Sequence, residues 1–245
     1  MSASRRLELS RQRDVTELFG DALRVYGRHL PTFLGIAVAI VVPVDLIVSG
    51  IGLKQLTATY DQSPPVSETF VTAGVSFLVT VPLITATCVY ALRRLASGEP
   101  PRAGRSLTDG LEAFRPIFFA VVLAAAGIAA GLILIVPGIY LAVRWYFVPQ
   151  AVVVEGRRGP PALTASGKVV EGFWWRAFGI IVLANLAATL PSLLLVAPFM
   201  ALAKSADREI WNLLGQALAE TLTTPFVALL STLLWYDLRS RRWAG

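Results

Sequence analysis

The chain has 245 residues, of which 55% are hydrophobic and only 16% are charged, and its mean hydropathy is +0.64. Soluble domains carry charge on about a quarter of their residues, so these values exclude an ordinary soluble fold and favour a membrane protein. One Cys, one His and two Met exclude a disulfide framework, a Cys/His zinc site and a multi-histidine catalytic centre, because each needs several such side chains.

An amphipathic helix is predicted before the first long apolar run. Apolar residues recur there at helical spacing, while charged residues take the opposite face; the apolar set is Val15, Leu18, Phe19, Ala22, Leu23 and Tyr26. We expect this helix to lie along the membrane surface after a flexible arm over residues 1–12. No cleavable signal peptide is apparent, so the first transmembrane span is predicted to insert as a signal anchor.

Six transmembrane helices are predicted, because a crossing needs about 20 mostly apolar residues. The long apolar runs are 30–53, 70–92, 116–154, 177–203 and 210–238. The run over 116–154 is long enough for two helices, and Pro137 and Gly138 divide it, which predicts a tight helical hairpin.

Two further amphipathic helices are expected before the third and fifth spans. Ser106 and Asp109 have capping-box spacing ahead of the third, and Pro160 and Pro161 suit a helix start ahead of the fifth. Aromatic and basic residues at these entries are predicted to anchor the chain at the membrane interface: Tyr26, Arg28, Phe114, Arg115, Trp174, Trp175 and Arg176.

The three entries suggest an internal repeat. Each reads as an amphipathic helix, an aromatic residue, an Arg and then a span, which divides the chain into units over 13–97, 105–158 and 160–240. The alternative is that every hairpin starting in the cytoplasm needs a basic, aromatic entry. The predicted fold class is therefore an all-α polytopic membrane bundle, one domain over 1–245, with six transmembrane helices, cytoplasmic-side interfacial helices and a possible three-fold repeat.

The basic residues indicate orientation, because short loops rich in Arg and Lys stay in the cytoplasm. Eighteen of the 22 Lys and Arg residues lie in four segments that follow or precede spans on one side, 5–28, 93–115, 157–176 and 239–242. The opposite loops hold Lys54, Lys204 and Arg208. Both termini are therefore predicted to be cytoplasmic, in a bacterial inner membrane. The net charge of +6 is read as an orientation signal that favours anionic lipids over nucleic acid.

One region resembles a known family. The stretches PGIYLAVRWYFVPQAVVVEG over 137–156 and ALTASGKVVEGFWWRAFG over 162–179, with LLWYDLRSR from Leu233, resemble the membrane domain attached to some bacterial glycerophosphoryl diester phosphodiesterases. This domain also occurs alone in multi-pass proteins. The resemblance implies six spans. It departs from the family pattern at Gly167, where an aromatic residue commonly follows the Ser.

We expect no phosphodiesterase activity from this chain. In the resembled family that chemistry depends on a soluble barrel with paired His residues and metal-binding carboxylates, and His29 alone cannot supply it. No phosphate loop, HExxH or GxSxG motif occurs, so neither a cofactor nor a metal is predicted, although an intramembrane enzyme stays open.

Three charges fall inside predicted spans, where they are costly and are usually paired or line a polar cavity. Asp45, Arg144 and Glu220 all lie at the middle or outer depth of the bilayer, and an Arg between two carboxylates can satisfy both. The hypothesis is a cluster of these three, either as an ion network that fixes helix packing or as a substrate or proton site; the further alternative is that these side chains snorkel to the outer surface.

Two functions follow from these observations. The first is a non-enzymatic membrane scaffold or accessory that contacts lipids at the cytoplasmic leaflet, with or without a protein partner. The second is a small transporter or lipid-handling protein that uses the polar cluster. A continuous polar cavity would favour the second function, and a dry, tightly paired cluster would favour the first.

Overall fold

The computed structural model describes residues 8–48, 58–60 and 66–244, and this part of the chain folds into helices and short loops without a β-strand. Residues 1–7 of the predicted arm, the predicted end of span one over 49–53, and Lys54 lie outside the described residues. The helices are α1 (Val15–Arg28), α2 (Leu30–Val48), α3 (Val66–Val75), a π-helical turn (Ser76–Thr80), α4 (Val81–Ala96), α5 (Ala103–Leu132), α6 (Val136–Arg144), α7 (Val148–Glu155), α8 (Pro160–Val170), α9 (Trp174–Ala206) and α10 (Glu209–Ala244).

Five helical stretches among the described residues are long and apolar enough to cross a membrane. They are Leu30–Ile47, Phe70–Ala96, Ala103–Leu132, Trp174–Ala206 and Glu209–Trp243. Four of these overlap the predicted spans one, two, five and six, and Ala103–Leu132 overlaps the first arm of the predicted hairpin. The predicted all-helical membrane-protein class is therefore confirmed in its coarse form.

Helix α1 forms where the amphipathic spacing predicted it. Its N-terminus is capped by Glu17, whose Oε2 accepts a hydrogen bond of 3.0 Å from the backbone N–H of Asp14. Its apolar face packs against α10: the rings of Phe19 and Tyr26 lie 6.4 and 6.3 Å from the ring of Phe226. Leu23, 58% exposed, is the residue of the predicted stripe that this packing leaves most open.

The second predicted amphipathic helix is not a separate element. It is continuous with the span that follows, so that α5 runs for 30 residues. The helix begins at Ala103, and Ser106, predicted as its cap, lies buried inside it. At Gly110 the helix approaches α4 so closely that a Cβ would lie 2.3 Å from Thr87 Oγ1, and this contact keeps the N-terminal part of α5 packed against α4. The three predicted repeat units thus differ, since α1 and α8 are separate from their spans.

The predicted fourth span is broken. The chain turns over residues 133–135. The returning arm of the hairpin consists of two short helices, α6 of 9 residues and α7 of 8 residues. Each helix is about 12–14 Å long, so neither crosses a bilayer alone. Pro149 explains the break, because its ring would clash with the carbonyl of Trp145 in a continuous helix.

Ser166 of α8 supplies hydrogen-bond partners for the backbone at the break between α6 and α7. Its hydroxyl donates to the carbonyl oxygen of Arg144 at 2.8 Å and accepts from the backbone N–H of Phe147 at 3.2 Å. Backbone groups freed from a helix at membrane depth need such partners, since no water is available there. The interruption is therefore a built feature of the bundle.

The most tightly packed core lies at one end of the bundle, around residues 226–238 of α10. We call this the Asp237 end, which also holds Arg13, the α7–α8 loop and the start of α9. The opposite end, where Asp45 of α2, Ser76 and Glu220 of α10 lie, is the Glu220 end. Side chains of α9 toward the Glu220 end are largely exposed, for example Leu190 at 66% and Leu194 at 78%.

Candidate functional site

Arg144 contacts α6 and α8 rather than the two carboxylates predicted to pair with it. The Arg144 Nη1 donates to the Tyr140 hydroxyl at 2.9 Å, and the guanidinium lies 5.8 Å from the centre of the Tyr140 ring. Within the described residues Arg144 has no ion pair with Asp45 or Glu220. The physical reason is the helix break, which turns the last residue of α6 toward α8.

Gly167, the departure from the family pattern, makes room for Arg144. A Cβ at this position would lie 2.8 Å from the Nε of Arg144 and 3.3 Å from its Cζ. A larger residue would push the guanidinium away from α8. The side chain of Arg144 and the small residue at 167 therefore form one packing unit.

Asp45 and Glu220 do lie near each other, close enough for their carboxylates to repel. Glu220 Oε1 accepts a hydrogen bond of 2.8 Å from the hydroxyl of Ser76, which opens the π-helical turn. Both carboxylates are half-buried, and neither pairs with a cation among the described residues. The structure thus brings together two members of the predicted three-residue cluster and separates the third.

The predicted interfacial anchors divide into two groups. Arg28, Arg115 and Trp175 are exposed, with Trp175 at 77%. The others are partly or fully buried in the bundle. Trp174 stacks on Tyr140 and Phe178 and donates its indole N–H to the Tyr140 carbonyl at 3.3 Å. Phe114 packs against the apolar core and on Phe118 of its own helix.

Tyr26, another predicted anchor, joins α1 to α10. Its hydroxyl donates to the Leu222 carbonyl at 2.7 Å, and burial raises the pKa of Tyr26 to about 12. The neighbouring His29 is partly buried, and this burial and the positive charge of Arg28 lower the pKa of its imidazole.

The strongest electrostatic cluster is one that the sequence did not single out. Asp237 is fully buried in α10, and its Oδ1 accepts a hydrogen bond of 2.6 Å from the backbone N–H of Arg13. Its carboxylate also accepts from Arg176 at 3.2 Å and from Arg241 at 3.1 Å.

The same two guanidinium groups hold the other side of Arg13. Arg176 and Arg241 donate to the Arg13 carbonyl at 2.6 and 2.7 Å, so both backbone polar groups of Arg13 are bound. The Arg13 side chain turns back to Asp21 at 3.1 Å and to carbonyl groups of the preceding residues. This arrangement fastens the N-terminal arm, α9 and α10 together, and it places Arg176, predicted as an interfacial anchor, in a tertiary network.

A cavity of about 630 Å³ lies inside the bundle beside the α6–α7 break. Its walls come from α4, α5, α9, α10 and the break itself. Most of the lining is apolar, and the polar members are hydroxyl, indole and amide groups: Thr85, Trp145, Tyr146, Gln150, Asn185, Thr189, Ser192, Thr223, Thr224 and Ser231. Its size is typical of a small-molecule or cofactor site.

Gln150 is the most buried polar residue of this cavity, at 1% exposure. Its Nε2 donates to Ser231 Oγ at 3.0 Å, an interhelical hydrogen bond between α7 and α10 of the kind expected for polar residues in spans. Its Oε1 has no hydrogen-bond partner among the described residues. Buried polar atoms are almost always partnered, so this oxygen is one of a few exceptions among the described residues.

A second concavity, of about 890 Å³, lies at the Asp237 end between α7, α8 and the end of α10. We call it the basic groove, because Arg157, Lys168, Arg239 and Arg242 line it against a single acidic residue, Glu155. Arg239 and Arg157 lie 3.9 and 4.0 Å from Glu155, so a single carboxylate pairs with both guanidinium groups. The groove therefore keeps a net positive charge.

The sequence did contain signals for the features that were missed. Asp237 is the one acidic residue in the apolar-to-basic end of α10, and Pro149 stands in the middle of the predicted fourth span. Neither signal names its partners, which come from distant parts of the chain. No family model, curated protein or solved structure matches this chain.

Proposed function

We propose that this chain is an integral membrane protein that binds a lipid molecule in the cavity beside the α6–α7 break. The observation that carries the proposal is the cavity's position and lining: it lies between helices of membrane-spanning length and no charged side chain faces it. This is the lipid-handling function considered from the sequence, with the site moved from the charged cluster to the cavity.

The exposure of the lining residues supports entry from the side. Phe77 of the π-helical turn is 51% exposed and Leu193 of α9 is 62% exposed, and Asn185 and Thr189 of α9 are exposed as well. In an inserted bundle these positions face acyl chains rather than water. A molecule that already resides in the bilayer can therefore reach the cavity directly, which a water-soluble solute cannot do.

Broken helices and π-helical turns support a binding role for this region. Both interruptions border the cavity, since Phe77 lies in the π-helical turn and Trp145 and Tyr146 lie in the α6–α7 break. Irregular backbone at membrane depth is typically found where it lines a binding cavity, and π-helical turns are frequent at functional sites.

The test uses two neighbouring alanines of α9. Ala188 lines the cavity, whereas Ala187 is exposed and does not. The probe is a dioleoylglycerol with a diazirine in one acyl chain, photo-crosslinked to the full chain in nanodiscs. We expect crosslinks on peptides over 142–150 and 185–196, lost in Ala188→Trp and retained in Ala187→Trp. Equal crosslinking of these peptides in both variants, or none in the native chain, would overturn the proposal.

The proposed topology has six passes, with α6 and α7 together forming the broken one, and both termini in the cytoplasm of a bacterium. The unequal distribution of Arg and Lys supports it. The only Cys, Cys88, is buried, so Cys88→Ala gives a cysteine-free background. We expect an impermeant maleimide to label Thr59→Cys in intact cells and to label Arg158→Cys only after permeabilisation. The reverse labelling pattern would show that the chain has the opposite orientation in the membrane.

The basic groove favours a second function, contact with anionic headgroups at the cytoplasmic leaflet, as a scaffold or accessory would make. Basic pockets between helices on that side bind such headgroups. We expect nanodiscs of mixed phosphatidylcholine and phosphatidylglycerol to show phosphatidylglycerol enriched around the native chain and not around Arg157→Gln/Lys168→Gln. Arg158→Gln, just outside the groove, is the matched control. No enrichment around the native chain would exclude this function.

A further inference from the structure

The turn that joins α5 to α6 is exposed and entirely apolar. We call residues 133–136 the apolar turn; its side chains, Ile133, Leu134, Ile135 and Val136, are each between 64% and 82% exposed. No charged residue occurs in the sequence from 116 to 143. The turn between α9 and α10 is the opposite case, because four of the six residues over 204–209 are charged. The two turns are therefore suited to different surroundings.

The backbone of the apolar turn pairs its own hydrogen-bond donors. The three N–H groups over 134–136 donate to carbonyl groups over 131–134, at 3.1, 3.0 and 2.6 Å. The next residue, Pro137, has no N–H group. Unpaired backbone groups are what keep irregular loops out of the hydrocarbon of a bilayer, since no water is available there to bind them. The donors of this turn need no water.

Ile135 adopts a conformation that a water-exposed turn would normally give to glycine. Its φ is 58° and its ψ is −66°, and a β-branched residue rarely has a positive φ. Because the Ile135 side chain is 64% exposed, packing within the described part of the chain does little to offset this strain. Contact with acyl chains would stabilise an isoleucine at this position, whereas contact with water would not.

The contacts of α6 limit how far the apolar turn extends. The ring of Tyr140 stacks on that of Trp174, with ring centres 6.0 Å apart, and Trp174 begins α9 at the Asp237 end. Only four residues of α6 separate Tyr140 from Ile135, so Ile135 lies within about 20 Å of the Trp174 Cα. Helix α9 continues to Ala206, about 48 Å from Trp174. The apolar turn therefore ends well short of the α9–α10 turn.

The first arm of the hairpin is also short within the membrane. Helix α5 has 30 residues, but its charged residues continue up to Arg115, which is exposed. From Arg115 to Leu132 the helix rises about 26 Å, less than the roughly 30 Å of a hydrocarbon core. An arm that enters the membrane at Arg115 thus ends inside it.

Resting on the proposed topology, we propose that α5 and α6 form a re-entrant hairpin whose apolar turn lies among the acyl chains. The hairpin enters from the cytoplasmic side, turns inside the hydrocarbon and returns through α7. The third pass and the broken fourth pass of the proposed topology therefore meet inside the membrane. Both termini keep their side, because a re-entrant hairpin returns the chain to the face from which it came.

The short hairpin has a consequence for the cavity. Leu193 and Val196, which line it, lie about 28 and 33 Å from Trp174 along α9, beyond the reach of the apolar turn. The hairpin therefore leaves this part of the cavity uncovered. A lipid can enter there from the side, between α9 and the end of the hairpin.

The experiment compares two cysteine variants of the full chain in the Cys88→Ala background. Leu134→Cys lies on the apolar turn and Ser205→Cys on the charged turn, and both positions are exposed in the structure. Each variant receives a nitroxide spin label in detergent and is then reconstituted into liposomes of phosphatidylcholine and phosphatidylglycerol. We expect the label at 134 to collide more with oxygen, which concentrates in hydrocarbon, than with a water-soluble nickel chelate. The label at 205 should show the reverse.

Maleimide labelling in cells separates the alternatives. An impermeant maleimide should label Ser205→Cys in intact cells and should not label Leu134→Cys even after permeabilisation. Labelling of Leu134→Cys in intact cells would place the apolar turn at the outer face, and labelling only after permeabilisation would place it in the cytoplasm; either result overturns the re-entrant hairpin. Labelling of Ser205→Cys only after permeabilisation would overturn the proposed orientation instead, and the nitroxide comparison would still locate the apolar turn.

A pair of aspartate variants tests the same inference without a label. Leu134 is 73% exposed, so Leu134→Asp loses little packing within the protein. A charge inside the hydrocarbon is costly, so we expect Leu134→Asp to lower the amount of folded protein in the membrane and Ser205→Asp to leave it unchanged. Equal amounts of the two variants would overturn the re-entrant hairpin. Loss of lipid crosslinking at the cavity would overturn the proposed function and leave this inference in place.

Discussion

Two acidic residues of the same helix have opposite surroundings. Asp237 and Glu220 both lie on α10, about 26 Å apart along its axis. Asp237 is fully buried, is held by two guanidinium groups and binds the backbone of Arg13. Glu220 is half-buried, accepts one hydrogen bond from Ser76 and lies near another carboxylate, Asp45.

The difference shows that the charges serve distinct purposes at the two ends of the bundle. At the Asp237 end, charge fastens three segments that are distant in the sequence, and the apolar core is densest there. Toward the Glu220 end, packing loosens and the cavity opens between α9 and its neighbours. Stability should therefore depend mainly on the Asp237 end, and ligand binding on the less tightly packed region beyond it.

The largest expected effect is that of Asp237→Asn. The amide can still accept from Arg13, but it leaves Arg176 and Arg241 without a negative partner in a buried site. Breaking a buried ion pair in this way costs about 3–5 kcal/mol. We expect a large fall in the thermal midpoint of the purified protein in detergent, with release of the N-terminal arm detected as faster proteolysis near Arg13.

The control for Asp237→Asn is a variant that removes an exposed charge from the same end of the bundle. Arg158 lies in the α7–α8 loop and is exposed, so Arg158→Gln should leave the midpoint within about 0.5 kcal/mol of the native value. A midpoint for Asp237→Asn as high as that of Arg158→Gln would show that the cluster does not stabilise the Asp237 end.

A smaller loss is expected from Gly110→Ala, which tests the close packing of α4 on α5. The added methyl group would lie 2.3 Å from Thr87 Oγ1 and 3.3 Å from the Thr87 Cα, so the two helices must move apart. Overpacking of this kind costs about 1–3 kcal/mol. The readout is the thermal midpoint.

Gly104 is the matched control, because it lies on the same helix and a Cβ there meets nothing within 4 Å. Gly104→Ala should be neutral or stabilising by up to about 1 kcal/mol, since Ala favours helix. If both alanine variants behave alike, the tight contact at Gly110 does not limit the approach of α4 and α5.

Apolar runs, spacing and helix-start residues sufficed to predict most of the helical architecture. The charge-free runs locate the helices of spanning length, the amphipathic spacing predicts α1, and Pro160 marks the start of α8. These signals are local, because backbone hydrogen bonding and the length of a hydrocarbon crossing act within one segment of the chain. The signal for the helix break, Pro149, was local too. It was missed because the spans were located by the length of apolar runs, and a single proline does not interrupt such a run.

The site was less predictable, because its partners are not neighbours in the sequence. Gln150 lines the cavity, yet its hydrogen-bond partner Ser231 lies 81 residues away in the sequence. Asp237 depends on Arg13, at the other end of the chain. Arg144 was predicted to pair with Asp45 and Glu220 because of their similar depths, but depth alone does not give the direction in which a broken helix turns its last side chain.

The smallest expected effect is that of Glu220→Gln, and it tests the comparison from the loosely packed end. The amide oxygen can still accept from Ser76, and the substitution removes the repulsion between Glu220 and Asp45. Because both side chains are only partly buried, we expect the thermal midpoint to stay within about 1 kcal/mol of the native value or to rise. Asp45→Asn should behave in the same way, and the double variant should gain nothing further, since one neutral partner already removes the repulsion. A fall as large as that of Asp237→Asn would instead mean that Glu220 stabilises a cation, and the two acidic residues of α10 would then serve the same purpose.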